Sequence, residues 1–136
     1  MTDAPFRVAH LSEIVTPAGS EPGRAPWSAV RMHFDIGSFG VAAYRAEAAG
    51  DVFTGEHTEA DTAHEELFFV ATGHASMKVG DEIVDAPAGT FVYVEDPAVL
   101  RGATALEAGT TLIAVGGEPG KAYEVSDWER EYAADA

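Results

Sequence analysis

Two histidines and four carboxylates crowd one short stretch of this chain: His57, Glu59, Asp61, His64, Glu65 and Glu66. Imidazole nitrogens and carboxylate oxygens are the donors that hold divalent cations in proteins, and the same groups fix polar ligands by hydrogen bonds. Spacing decides which of them meet. Side chains two apart on a β-strand share a face, so His57 and Glu59 point the same way where the chain is extended. By the same rule Glu66 shares its side with Phe68 and Val70. The spacing predicts that His57, Glu59 and Glu66 converge at one end of a hairpin, with Glu66 opening the second strand. His64, inside the connecting loop, is a further candidate donor. The competing reading is an acidic loop left in water between two strands, the ordinary fate of a charge cluster. Convergence without a cation would set two carboxylates close together and raise one pKa.

The elements that must position these groups read as short strands. Residues 1–27 form an N-terminal arm, with one predicted strand from Phe6 to Ile14 followed by a run of prolines and glycines that forbids regular structure. From Ala29 to Ile36 the chain alternates, with Met32, Phe34 and Ile36 on one predicted face. Further strands follow in FGVAAYRAE, DVFTGEH, ELFFVATG, HASMKV, EIVDA, TFVYVE, LRGATALE and TTLIAVGG, and Gly80-Asp81 reads as a two-residue hairpin turn. Strands this short and this regularly spaced predict an all-β fold, a single antiparallel barrel or sandwich over residues 28–117. The remainder, 118–136, is an extension in which Ser126 and Glu129 match a capping box at the start of a short helix, with Trp128 and Tyr132 on its docking side.

Composition narrows the functions. The chain has 136 residues, 23 acidic against 8 basic, and a formal charge of −15, so it would be repelled by nucleic acid and by anionic membrane surfaces. It has no cysteine, which removes thiolate metal sites, disulfides and cysteine nucleophiles. No secretory signal and no apolar run of the ~20 residues a membrane helix needs is visible, so a cytoplasmic protein is expected. Phosphate-binding loops, dinucleotide fingerprints and nucleophile elbows are missing as well.

Gly50, His57, Glu59, Glu66 and Gly73 resemble the first sequence motif of the cupins, G-x5-H-x-H-x3-4-E-x6-G, and the Glu66 to Gly73 half fits without adjustment. APAGTFVYVEDPAVL, with Gly89, is similar to the second motif of that family. The resemblance implies a small jelly-roll β-barrel, a site in its mouth, and a homodimer that the N-terminal arm could help to form. Three departures bear on the site. Glu59 stands where the motif has its second histidine, the spacer to Glu66 is six residues long, and the last metal histidine falls on Leu100, beside Arg101. Two imidazoles are thereby lost, which should weaken binding of iron, nickel or zinc.

The expectation is therefore a cupin-like barrel that binds a small molecule without an essential transition metal, as a sensor, carrier or accessory domain. Its pocket would be lined by His57, Glu59, Glu66, Phe68, Phe91, Tyr93 and Leu100, and would prefer cationic or hydroxyl-rich ligands unless Arg101 turns inward. One alternative is a metal-dependent enzyme, for which the resemblance implies dioxygenase, isomerase or epimerase chemistry. A divalent ion would then sit on His57, Glu59 and Glu66, with His64 as a substitute. The other is an oligomerisation module with no ligand.

Overall fold

The computed structural model describes residues 5–14, 16, 21–127 and 129–131. Nine strands form two antiparallel sheets among these residues. β1 (Trp27–Ser28), β2 (Gly40–Arg45), β9 (Thr111–Gly117), β4 (Glu65–Thr72) and β7 (Phe91–Val94) lie side by side in that order. The second sheet has the order β3 (Val52–His57), β8 (Arg101–Ala105), β5 (His74–Val79), β6 (Glu82–Pro87). The sheets face each other as a jelly roll and are not joined to one another by ladder hydrogen bonds. The all-β architecture predicted from the strand rhythm is the one observed, and the Gly80-Asp81 turn joins β5 to β6.

Register fixes what points inward. Tyr44, Leu112 and Val70 stand in one row across β2, β9 and β4, Ala42, Ala114 and Phe68 in the next, and Gly40, Gly116 and Glu66 in the third. Leu112, Val70, Ala114 and Phe68 from the first two rows, with Phe53, Met77, Ala75, Ala86, Ala103 and Ala105 from the facing sheet, lie in the buried core, and Tyr44 packs against it. The third row opens at the end of the barrel. Gly73 turns the chain from β4 into β5 with φ +75°, and a Cβ there would lie 2.2 Å from Thr110 Oγ1 and 2.7 Å from its Cα. Glycine is therefore required at the position where the resemblance has one.

Three local expectations are corrected. Residues 30–34 are a helix, α1 (Val30–Phe34), not a strand, and it ends on Asp35 in the left-handed conformation. A run this short carries apolar residues at a spacing compatible with either period, so alternation alone could not decide it. The predicted strand from Phe6 to Ile14 is extended chain with one 3-10 turn at Leu11–Glu13, capped by the His10 ring and the Glu13 carboxylate. Described residues of the arm fold back on their own domain: Arg7 reaches the carbonyl and ring of Phe34, and Ala25 donates to Val52 O at 2.9 Å. At the C-terminus residues 127 and 129–131 are helical. The predicted capping box does not form, because the Glu129 carboxylate turns to Arg31 (2.9 Å) while the Ser126 hydroxyl is buried with no partner among the described residues. Trp128 and Tyr132, expected to dock that helix, lie outside the described residues.

Candidate functional site

His57 ends β3, Glu66 stands near the start of β4, and the loop between them folds back as a turn around Glu59. Ala63 N–H and Thr62 N–H both donate to Glu59 O, at 2.8 and 3.2 Å, and Glu59 N–H donates to Pro97 O at 2.8 Å. The Thr62 hydroxyl then donates to Glu59 Oε2 at 3.0 Å, which holds the carboxylate toward the barrel. The lengthened spacer is thus the device that aims Glu59. One donor atom from each of His57, Glu59 and Glu66 lies within 4.8 Å of the other two, so the three predicted residues do converge. That spacing could hold a metal ion.

The hydrogen bonds around these donors are less favourable to one. His57 Nδ1 is 2.9 Å from Gly55 O and Nε2 is 3.2 Å from Glu59 Oε1. Both ring nitrogens face acceptors, which suits an imidazolium and leaves no lone pair for a ligand bond. The hydrogen bond to Glu59 accordingly raises the His57 pKa above 6.5, against the effect of burial. Burial pushes Glu59 up, but the hydrogen bonds from His57 and Thr62 outweigh it and leave the carboxyl below its ordinary value. Glu66 goes the other way: burial and the charge of Glu59 raise it, and Arg101 only partly offsets them.

Arg101, left out of the predicted site and named there only as a side chain whose inward turn would change the ligand preference, does turn inward. It pairs in register with His57 across β3 and β8 and is completely buried. Its Nη1 donates to Glu66 Oε1 at 3.1 Å. Arg101 faces Glu66 and the His57 ring faces Glu59, so with His57 protonated the two carboxylates are matched by two cations without an added ion. The residues present fit a metal by spacing but not by chemistry: the imidazole is engaged on both sides, and a guanidinium already occupies Glu66.

Above this quartet opens a cleft of about 750 Å³, walled by Trp27, Tyr44 and Phe53 and rimmed by Arg24, Glu56 and Asp61. A smaller cavity of about 100 Å³ adjoins it, sharing Trp27, Tyr44, Glu59, Thr62 and Glu66 as its wall. The Tyr44 hydroxyl makes no hydrogen bond among the described residues, and burial with the charges of Glu66 and Glu59 pushes the phenol up, so it stays a donor. The C-terminal segment closes the small cavity. Tyr123 lies over Gly40, where a Cβ would meet its ring at 2.9 Å, and its ring centroid is 5.5 Å from that of His64.

Several predicted site residues are placed elsewhere. His64 leans on Tyr123 in the small cavity and is not one of the three converging donors. Phe68 is fully buried in the core and lines neither cavity. Phe91 and Tyr93 are 64% and 53% exposed on the outer face of β7, because the pairing of Glu66 with Val94 turns Val92 and Val94 inward instead. Leu100 is half-buried beside the site, and its backbone carbonyl accepts from Gly80 N–H at 2.7 Å. Two signals could have found the arrangement around Glu66. The parity of Glu66 through β7 excludes Phe91 and Tyr93, and a one-residue slip in the count from Gly89 brings Arg101 in place of Leu100.

Solved structures of other proteins match this architecture. A cupin protein from Bacteroides fragilis aligns with a TM-score of 0.60 at 13% identity, over 80% of this chain and 88% of its own. The fold is that of a cupin. An uncharacterised Klebsiella pneumoniae protein with a double-stranded β-helix domain matches at TM-score 0.63 and 16% identity, over 88% of this chain and 99% of its own. KdgF from a Halomonas species matches this cupin fold at 0.57 and 15%, over 82% and 88%. No protein-family profile matches the chain, and no curated protein sequence does. No helix among the described residues is long and apolar enough to cross a membrane.

Proposed function

We propose that this chain binds a small polar molecule in the cleft at the barrel mouth without an essential transition metal, as a sensor, carrier or accessory domain. The observation that carries the reading is the cleft itself. Its ~750 Å³ lies within the ~300–1,000 Å³ range of small-molecule sites, and it combines aromatic walls with a few convergent polar groups. The free hydrogen-bonding groups at its floor set the ligand class. Glu59 is engaged through both oxygens, whereas the second oxygen of Glu66 and the Tyr44 hydroxyl are open to a ligand. A hydroxyl-bearing or cationic molecule satisfies an acceptor and a donor side by side, and an organic anion would meet Glu56, Glu59, Asp61 and Glu66.

Ligand-observed NMR against neutral polyols, organic amines and organic acids tests this. Saturable binding of a polyol or amine, weakened by Tyr44→Phe, is expected. Binding of acids alone, or of nothing at millimolar concentration, would contradict it. The second reading, a metal-dependent enzyme, draws on the convergence of His57, Glu59 and Glu66 within 4.8 Å. It requires turnover of a substrate that stops on metal removal and returns with the ion.

A further inference from the structure

Arg101 stands one position past the residue to which the motif count assigns a metal histidine, and the register carries it directly across from His57. A buried guanidinium keeps its charge, because arginine is not deprotonated inside proteins. Such a charge is tolerated only where it is well partnered, and here each of the three nitrogens donates at least one hydrogen bond. Nε donates to Val99 O at 2.9 Å, Nη2 to Asp96 O at 3.0 Å and Nη1 to Glu66 Oε1 at 3.1 Å. The turn over residues 96–99 wraps its carbonyls around the group, so the cation is held by backbone as well as by a carboxylate. Glu66 belongs to the five-stranded sheet and Arg101 to the four-stranded one, which makes the pair a polar tie across two sheets that share no ladder.

We infer that the Arg101 guanidinium is the resident cation of this barrel, occupying Glu66 in the place where His57, Glu59 and Glu66 would otherwise share a divalent ion. The inference rests on the metal-free half of the reading above and deepens it, since it names what replaced the ion. It follows that the interior charge is covalently part of the chain and cannot be exchanged. Chelators leave the site intact, and substitution of Arg101 by a neutral donor opens it to a metal.

Cobalt(II) titration of the full chain, followed by visible absorption, is the test. The wild-type chain should show no saturable one-to-one signal up to ~100 μM, whereas Arg101→His, which presents an imidazole opposite His57, should bind at least ~10-fold more tightly. Adding Glu66→Gln to that variant should remove the gain. Wild-type protein that binds cobalt one-to-one and loses it on His57→Ala overturns the inference, as does a folded Arg101→His chain that gains nothing. Should Arg101→His not fold, the wild-type Arg101 Nε–H resonance decides. It stays sharp in ~1 mM Mn²⁺ if the guanidinium holds the site, and broadens away if an ion binds beside Glu66. Neither readout involves an organic ligand, so a cleft that binds no polyol or amine shows its failure separately.

Discussion

Two buried arginine–glutamate pairs occur among the described residues, and their chemistry is nearly the same. Arg101 and Glu66 are 3.1 Å apart with side chains 0% and 16% exposed, and Arg31 and Glu129 are 2.9 Å apart at 10% and 5%. In each, the guanidinium also donates to backbone carbonyls, those of Val99 and Asp96 in one and of Ile36 in the other. Their settings differ. The first pair lies inside the barrel between strands that cannot separate without unfolding. The second joins α1 to residues 118–131, which add no strand to either sheet among the described residues, so its local release would let both charges return to water without opening a ladder. The same interaction therefore acts as a permanent structural tie in one place and as a clasp in the other, and connectivity decides which.

The comparison is broken most directly by removing one member of each pair. Arg101→Ala leaves Glu66 buried beside Glu59 with no escape, so a loss of about 3–5 kcal/mol is expected in chemical denaturation. Glu129→Ala also strands an arginine, but local release of the segment limits the penalty to about 1–2 kcal/mol. Equal losses in the two variants would show that the terminal segment is no freer than a barrel strand. Hydrogen exchange sharpens the point: Glu129→Ala should speed exchange in residues 118–131 and leave β8 protected.

Smaller effects separate the mouth from the clasp by pH. The folded-state pKa of His57 is raised from 6.5, so its contribution is complete below that value and fades as pH rises through the shifted one. That of Glu59 is lowered from 4.5, so its contribution is complete above 4.5 and fades as pH falls. The melting temperature lost on His57→Gln should therefore be greatest between pH 4.5 and 6.5 and shrink on either side. A difference independent of pH would mean that the His57–Glu59 bond carries no charge. The smallest expected change is that of Gly40→Ala, whose Cβ would push against the movable end of Tyr123. It should cost under about 1 kcal/mol and loosen the contact of Tyr123 with His64, read as a chemical-shift change at the imidazole.

Strand rhythm and turn residues made the jelly roll legible in the sequence, because period-2 alternation and glycine turns are local properties. The convergence of His57, Glu59 and Glu66 was legible for the same reason, as a hairpin with its polar residues at one end. What escaped depends on contacts distant in sequence. Whether Arg101 or Leu100 faces inward is set by pairing with β3, more than forty positions away, and one residue of slip reverses the answer. The fate of Glu129 was set by Arg31, so a sound local capping rule lost to a long-range partner. Phe91 and Tyr93 were placed in the pocket as one face of their strand, and which of its two faces points inward is set by pairing with β4.

The span between Arg31 and Glu129, 98 positions, has a consequence for how the molecule comes into being. A nascent chain leaves the ribosome from its N-terminus at ~5–20 residues per second, and domains fold as their parts appear. All nine strands, through Gly117, emerge before Glu129 does. For that interval the two sheets can assemble around the Arg101–Glu66 tie while Arg31 waits hydrated and Gly40 lies uncovered. Until residues 118–131 have emerged, Gly40 has no Tyr123 over it and Arg31 has no Glu129 beside it, so the small cavity is closed last.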